Sequence, residues 1–81
     1  MDMQELLLLA FVRRACRTGE ARRIREAAGI SRSEVAGVLG VDSTSVLKWE
    51  AGERVPRTAL GLRYGELLEG LRDVDSLLVT A

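Results

Sequence analysis

From Ser31 to Gly52 the chain reads SRSEVAGVLGVDSTSVLKWEAG, and only Gly40, Val41 and Asp42 separate two stretches of helical periodicity. Ser31 and Glu34 have the spacing of a capping box, and Val35, Ala36 and Leu39 share one helical face. Gly40 stops that helix after barely two turns, and Asp42 is placed to cap the next one. Two helices this short cannot stand alone, so each must bury its apolar face against the rest of the chain. Ala36 is small enough for the second helix to cross close to the first. Val46 and Trp49 lie three apart and point into the core, which turns Ser43, Thr44, Leu47, Lys48 and Ala51 outward.

The same reasoning extends in both directions. Asp2 and Glu5 form another capping-box pair, predicting a helix over about 3–17 that ends before Thr18-Gly19. Its segment 6–12, LLLLAFV, is apolar all round, so this helix is expected to be covered on more than one side. A second helix over 20–29 carries Ala21, Ile24 and Ala28 on one face and stops at Gly29. Pro56 marks a loop, and Thr58 is a candidate cap for a fifth helix with Leu60, Tyr64, Leu67, Leu68 and Leu71 at helical spacing. The segment 73–81 has no decisive pattern. The expectation is an all-α, compact bundle of about five helices around a central helix-turn-helix. It forms one domain over 1–81, with 1–18 as an extra N-terminal helix, 20–71 as the core and 72–81 as a tail.

Eighty-one residues, 47% of them hydrophobic, suffice for one small core. The absence of histidine and the single cysteine, Cys16, exclude an internal disulfide and any multi-ligand Cys/His metal site. Without histidine there is no nucleophile–base pair of the usual kind, so neither an enzyme nor a cofactor is expected. Segment 6–12 is far short of the ~20 residues that span a bilayer, and its flanking charges are the reverse of a secretory signal. The chain reads as cytoplasmic. Net charge is zero, yet residues 13–57 hold ten basic and six acidic side chains while both ends are acidic. A basic middle of this kind suits a polyanion.

The outward face of the 43–51 helix fits that partner. A helix entering a major groove about 12 Å wide needs short, hydrogen-bonding or lightly apolar side chains there. Serine and threonine serve base or phosphate, lysine reaches guanine O6 and N7, and Leu47 is placed to touch a thymine methyl.

The stretch 31–52 also resembles the lambda-repressor/Cro-like helix-turn-helix family, often called XRE-like. The family pattern has an alanine, a glycine four later, an aliphatic six after that and an aromatic-Glu-x-Gly ending. Here these are Ala36, Gly40, Val46 and Trp49-Glu50-Ala51-Gly52. The likeness reaches outward through RIREAAGIS (23–31) to Pro56, Tyr64 and Leu68, covering roughly residues 20–71. It implies base contacts from Ser43, Thr44 and Lys48. Backbone contacts are implied from Asp42 or Ser43 at the helix cap and from Arg54 and Arg57 in the following loop. Where the family has a glutamine that binds phosphate and braces the recognition helix, this chain has Arg32, which binds phosphate but cannot accept a hydrogen bond. The resemblance also implies a structural ion pair between Arg25 and Glu50. Two positions depart from the pattern: Gly37 in mid-helix, and Asp42, an acid where phosphate would approach.

The function expected is a sequence-specific regulator that binds double-stranded DNA. With no length for a ligand- or protease-sensing domain, it reads as a minimal Cro-type repressor, phage- or plasmid-borne, acting by promoter occlusion. Leu6–Val12 and Leu77-Leu78-Val79 exceed what the other helices need. They either complete the core, with the first helix on the fifth, or form a homodimer surface, and both can hold. An antitoxin- or adaptor-type module that docks a protein through the apolar first helix is the rival reading.

Overall fold

A computed structural model describes residues 1–80, with side chains as far as Val74. Five helices follow one another: α1 (Met3–Thr18), α2 (Glu20–Ala27), α3 (Arg32–Leu39), α4 (Ser43–Glu50) and α5 (Thr58–Thr80). No strand occurs among the described residues.

Local chemistry sets the starts. Asp2 accepts from the Glu5 amide at 2.8 Å while Glu5 Oε1 accepts from the Asp2 amide at 3.1 Å, closing the capping box of α1. Ser31 and Glu34 do the same for α3 at 3.0 and 2.9 Å. The hydrogen bonds to Ser31 hold the Glu34 carboxyl below the usual glutamate range, so this capping box is complete at neutral pH and weakens as acid protonates the carboxylate. Asp42 caps α4 through the Ser45 amide at 2.8 Å. Between α3 and α4 the chain reverses at Gly40, whose φ of 74° is left-handed and strains any residue with a Cβ.

The core collects one face from each helix. Val12, Ala15 and Cys16 of α1, Ile24 of α2, Val35, Ala36 and Leu39 of α3, Val46 and Trp49 of α4, and Tyr64 and Leu68 of α5 are all buried. The Trp49 and Tyr64 rings meet at 5.0 Å between centroids and 44° between planes, tying the short α4 to the long α5. α1 lies against α5 at a close crossing: a Cβ on Gly65 would stand 2.7 Å from Leu8 and 2.9 Å from Val12.

Two expectations need correction, and one undecided segment is resolved. α1 is not covered on more than one side: Leu9 and Val12 are buried, but Leu6 is 56% and Leu7 62% exposed. The run is apolar all round because two different faces carry leucine, and α5, α2 and α4 between them leave the Leu6–Leu7 face uncovered. Thr58 does not precede α5 but is its first residue, with the Gly61 amide bonding back to the Arg57 carbonyl. The segment 73–80, without a decisive pattern, continues α5 to Thr80. Leu77, Leu78 and Val79, assigned to an apolar end of the chain, lie outside the described side chains.

Gly37 gives a first prediction. It sits exposed inside α3, and a Cβ there meets nothing within 4 Å. Gly37→Ala is expected to stabilise the fold by about 0.5–1 kcal/mol through backbone entropy alone. A urea midpoint that does not rise would show that the glycine relieves some strain in the α3–α4 turn.

Candidate nucleic-acid interface

The surface of interest follows from how α3 and α4 are pinned. Val46 is fully buried and Trp49 is 4% exposed, so the opposite ridge of α4 faces solvent. Ser43, Thr44 and Ala51 are exposed, Leu47 is 46% exposed and Lys48 is half-buried. Beside this ridge, Ser31, Arg32 and Ser33 from the start of α3, with Arg25 from α2, Ser43, Thr44 and Leu47, line an open cleft of about 400 Å³. Past the end of α4, the chain turns back through bonds from the Glu53 and Arg54 amides to the Lys48 carbonyl. Arg54 and Arg57 are exposed on that loop. Arginine therefore lies along one side of the ridge, from Arg25 and Arg32, and on the loop past its C-terminal end.

At the base of the cleft lies a buried cluster. The Glu50 side chain is only 2% exposed and accepts from two arginines. Arg25 approaches with Nε and with Nη2 at 3.1 Å, and its Nη1 donates to the Ile30 carbonyl at 2.8 Å. Arg32 adds its Nε at 3.0 Å from Glu50 Oε1. Bonding to Glu50 holds the Arg25 guanidinium protonated more firmly than a free one, against the opposing effect of its burial. One carboxylate between two guanidiniums leaves the cluster net positive at the edge of the cleft.

Arg32 accordingly stands in two environments. Its Nε braces α4 through Glu50, while a third of its side chain remains exposed in the cleft. The resemblance placed a bracing residue here and implied an Arg25–Glu50 pair. It contained no signal that Arg32 would share the same carboxylate, because the contact joins residues 18 apart. Arg63 was also missed. From α5 it donates Nη2 to the Val38 carbonyl at 2.9 Å, and its Nη1 lies 3.5 Å from the Leu39 carbonyl, capping the C-terminus of α3.

This arrangement is a short helix held by its back, presenting a slim ridge with arginines along one side and past its C-terminal end. A helix-turn-helix domain model matches residues 18–77. The chain belongs to the helix-turn-helix domain family. The match, of the XRE/Cro-like type, spans α2 to α5 and leaves nearly all of α1 outside it. No curated protein and no solved structure matches the chain. In this helix-turn-helix domain α3 and α4 are the two helices of the motif. Among the described residues no helix is long and apolar enough to cross a membrane, and no group of acidic or cysteine side chains could hold a metal ion.

Beneath the interface, Cys16 is buried beside the same cluster. Loss of hydration, with a smaller contribution from Glu50, pushes its thiol up to about 11 from an ordinary 9.0. The unfolded thiol therefore ionises first, so its share of stability is full below pH 9 and is lost as pH climbs to 11. The two-unit shift is worth about 2–3 kcal/mol. Burial raises Tyr64 as well, in the same direction and at higher pH. Urea midpoints are expected to fall between pH 9 and 11, and Cys16→Ala to flatten most of the decline. An unchanged decline in that variant would assign it to Tyr64 instead.

Proposed function

We propose that the chain is a sequence-specific, double-stranded DNA-binding transcriptional regulator, a Cro-type repressor that blocks a promoter by occupying it. The observation that carries this reading is the outward ridge of α4. Ser43, Thr44 and Leu47 are exposed and uncovered by any other helix, with Arg25 and Arg32 beside them and Arg54 and Arg57 on the following loop. In this reading Ser43, Thr44, Leu47 and Lys48 meet base edges in the major groove. Arg32, Arg54 and Arg57 hold phosphates, while Arg25 and Glu50 keep α4 at its docking angle. Arg32 does both jobs, since an arginine has donors beyond the Nε given to Glu50. Asp42 spends one carboxylate oxygen on the Ser45 amide and sits at a positive helix terminus, which limits its repulsion of phosphate. Two such domains would read half-sites about 34 Å apart.

Phosphate contacts supply most of the affinity, so binding falls steeply with added salt. Against a site selected from a random duplex library, Lys48→Ala is expected to cost about 1–3 kcal/mol and to relax preference at one base pair. Arg54→Ala weakens all duplexes alike and lowers the salt slope by about one. Normal binding by both variants would place the docking face elsewhere.

A second reading draws on the exposed Leu6 and Leu7 of α1: an antitoxin- or adaptor-type module that docks a protein. A gel shift against random duplex at low salt separates the two. No retardation at about tens of micromolar, where even non-specific binding is strong at low salt, favours the adaptor.

A further inference from the structure

α1 is the one helix lying almost wholly outside the matched family region, and its solvent face is ordered in a way the fold does not need. Along that face Met3 is 74%, Leu6 56% and Leu7 62% exposed, followed by Ala10. The same face then turns basic, with Arg13, Arg14 and Arg17 all exposed over its last turns. Asp2 and Glu5 stand at its other end. The helix thus runs acidic, apolar, basic from start to finish. An apolar patch of this kind marks a contact surface, and it shares no residue with the cleft beside α4.

We propose that this face pairs with a second copy of the chain, α1 against α1, antiparallel about a two-fold axis near Leu9–Ala10. A two-fold contact requires a surface complementary to itself, and the polarity of α1 supplies one. With the axis there, Asp2 comes level with the partner's Arg17 and Leu6 with the aliphatic stem of the partner's Arg13. Leu7 of one copy approaches Leu7 of the other across Ala10, whose single methyl lets the helix axes approach. A parallel pairing would instead set arginines against arginines and acids against acids. The capping box uses only one carboxylate oxygen of Asp2, and the 3.7 Å Arg14–Glu20 contact is exposed, so neither is unavailable to a partner. This names the surface through which the dimer of the preceding reading forms, and its test uses no DNA, so either can fail without the other.

Sedimentation equilibrium of the full chain from about 1 to about 500 µM is expected to show a monomer–dimer equilibrium weakened by salt. Leu7→Lys, at a position already exposed in the monomer, raises the dissociation constant at least about tenfold, with the helical circular dichroism and the melting temperature unchanged at concentrations where the parent is monomeric. Arg13→Glu with Arg17→Glu weakens the dimer as well. For orientation, Ala10→Cys in a Cys16→Ala background forms a disulfide-linked dimer on mild oxidation, whereas Met3→Cys does not. A chain that stays monomeric at the highest concentration, or a dimer indifferent to Leu7→Lys, overturns the proposal. Equal self-linking through Met3→Cys and Ala10→Cys overturns the antiparallel arrangement.

Discussion

Glu50→Ala is expected to cost the fold about 3–5 kcal/mol, as removal of one partner from a buried ion pair does. The loss arises mainly from what is left behind. The Arg25 side chain is 9% exposed and is tied to the Ile30 carbonyl at 2.8 Å, so it cannot swing freely into water. Its charge then has only a carbonyl for company in a medium of low polarity. Arg32 is a third exposed and escapes to solvent, which confines the penalty to one guanidinium but releases the tether between α3 and α4. A chain of this length has about 4–12 kcal/mol of stability in total, so the variant is expected to lose a large fraction of it. Chemical denaturation followed by circular dichroism measures the effect. The Arg25→Met, Glu50→Leu double variant should recover much of it, because apolar side chains need no partner. A loss below about 0.5 kcal/mol for Glu50→Ala would mean that water reaches the cluster and that the pair is no more than a surface bridge.

Trp49→Ala should be of similar size, about 3–5 kcal/mol, from lost transfer energy and an unfilled cavity. Trp49 is 4% exposed and meets Tyr64 at 5.0 Å, so its removal detaches α4 from α5 as well as from the core. The consequence extends beyond stability, since the indole is what turns Ser43, Thr44 and Leu47 outward. Trp49→Phe keeps an aromatic plug and is expected to lose less than half as much as alanine. Circular dichroism rather than fluorescence must report both, because Trp49 is the chain's single tryptophan. A Trp49→Ala chain that melted like the parent would place the anchor of α4 elsewhere.

Both predictions concern the join between a legible feature and one that was not. The helix starts at Asp2, Ser31 and Asp42 were readable because a cap links residues only three apart, and no other part of the chain needs to be known. The inward turn of Val46 and Trp49 was readable too, since helical spacing fixes which residues share a face. The contacts of Arg32 with Glu50 and of Arg63 with Val38 were hidden, as they cross 18 and 25 residues. An arginine's spacing says nothing about which carboxylate or carbonyl lies within its reach.

What local sequence settled, then, is where α1, α3 and α4 begin and which face of α4 is apolar, because those depend on neighbours along the chain. What needed the folded chain is how many arginines share Glu50 and which of the two leucine-bearing faces of α1 is covered. A uniformly apolar stretch such as LLLLAFV has no inside or outside of its own; packing against α5 buried Leu9 and Val12, and left Leu6 and Leu7 in water.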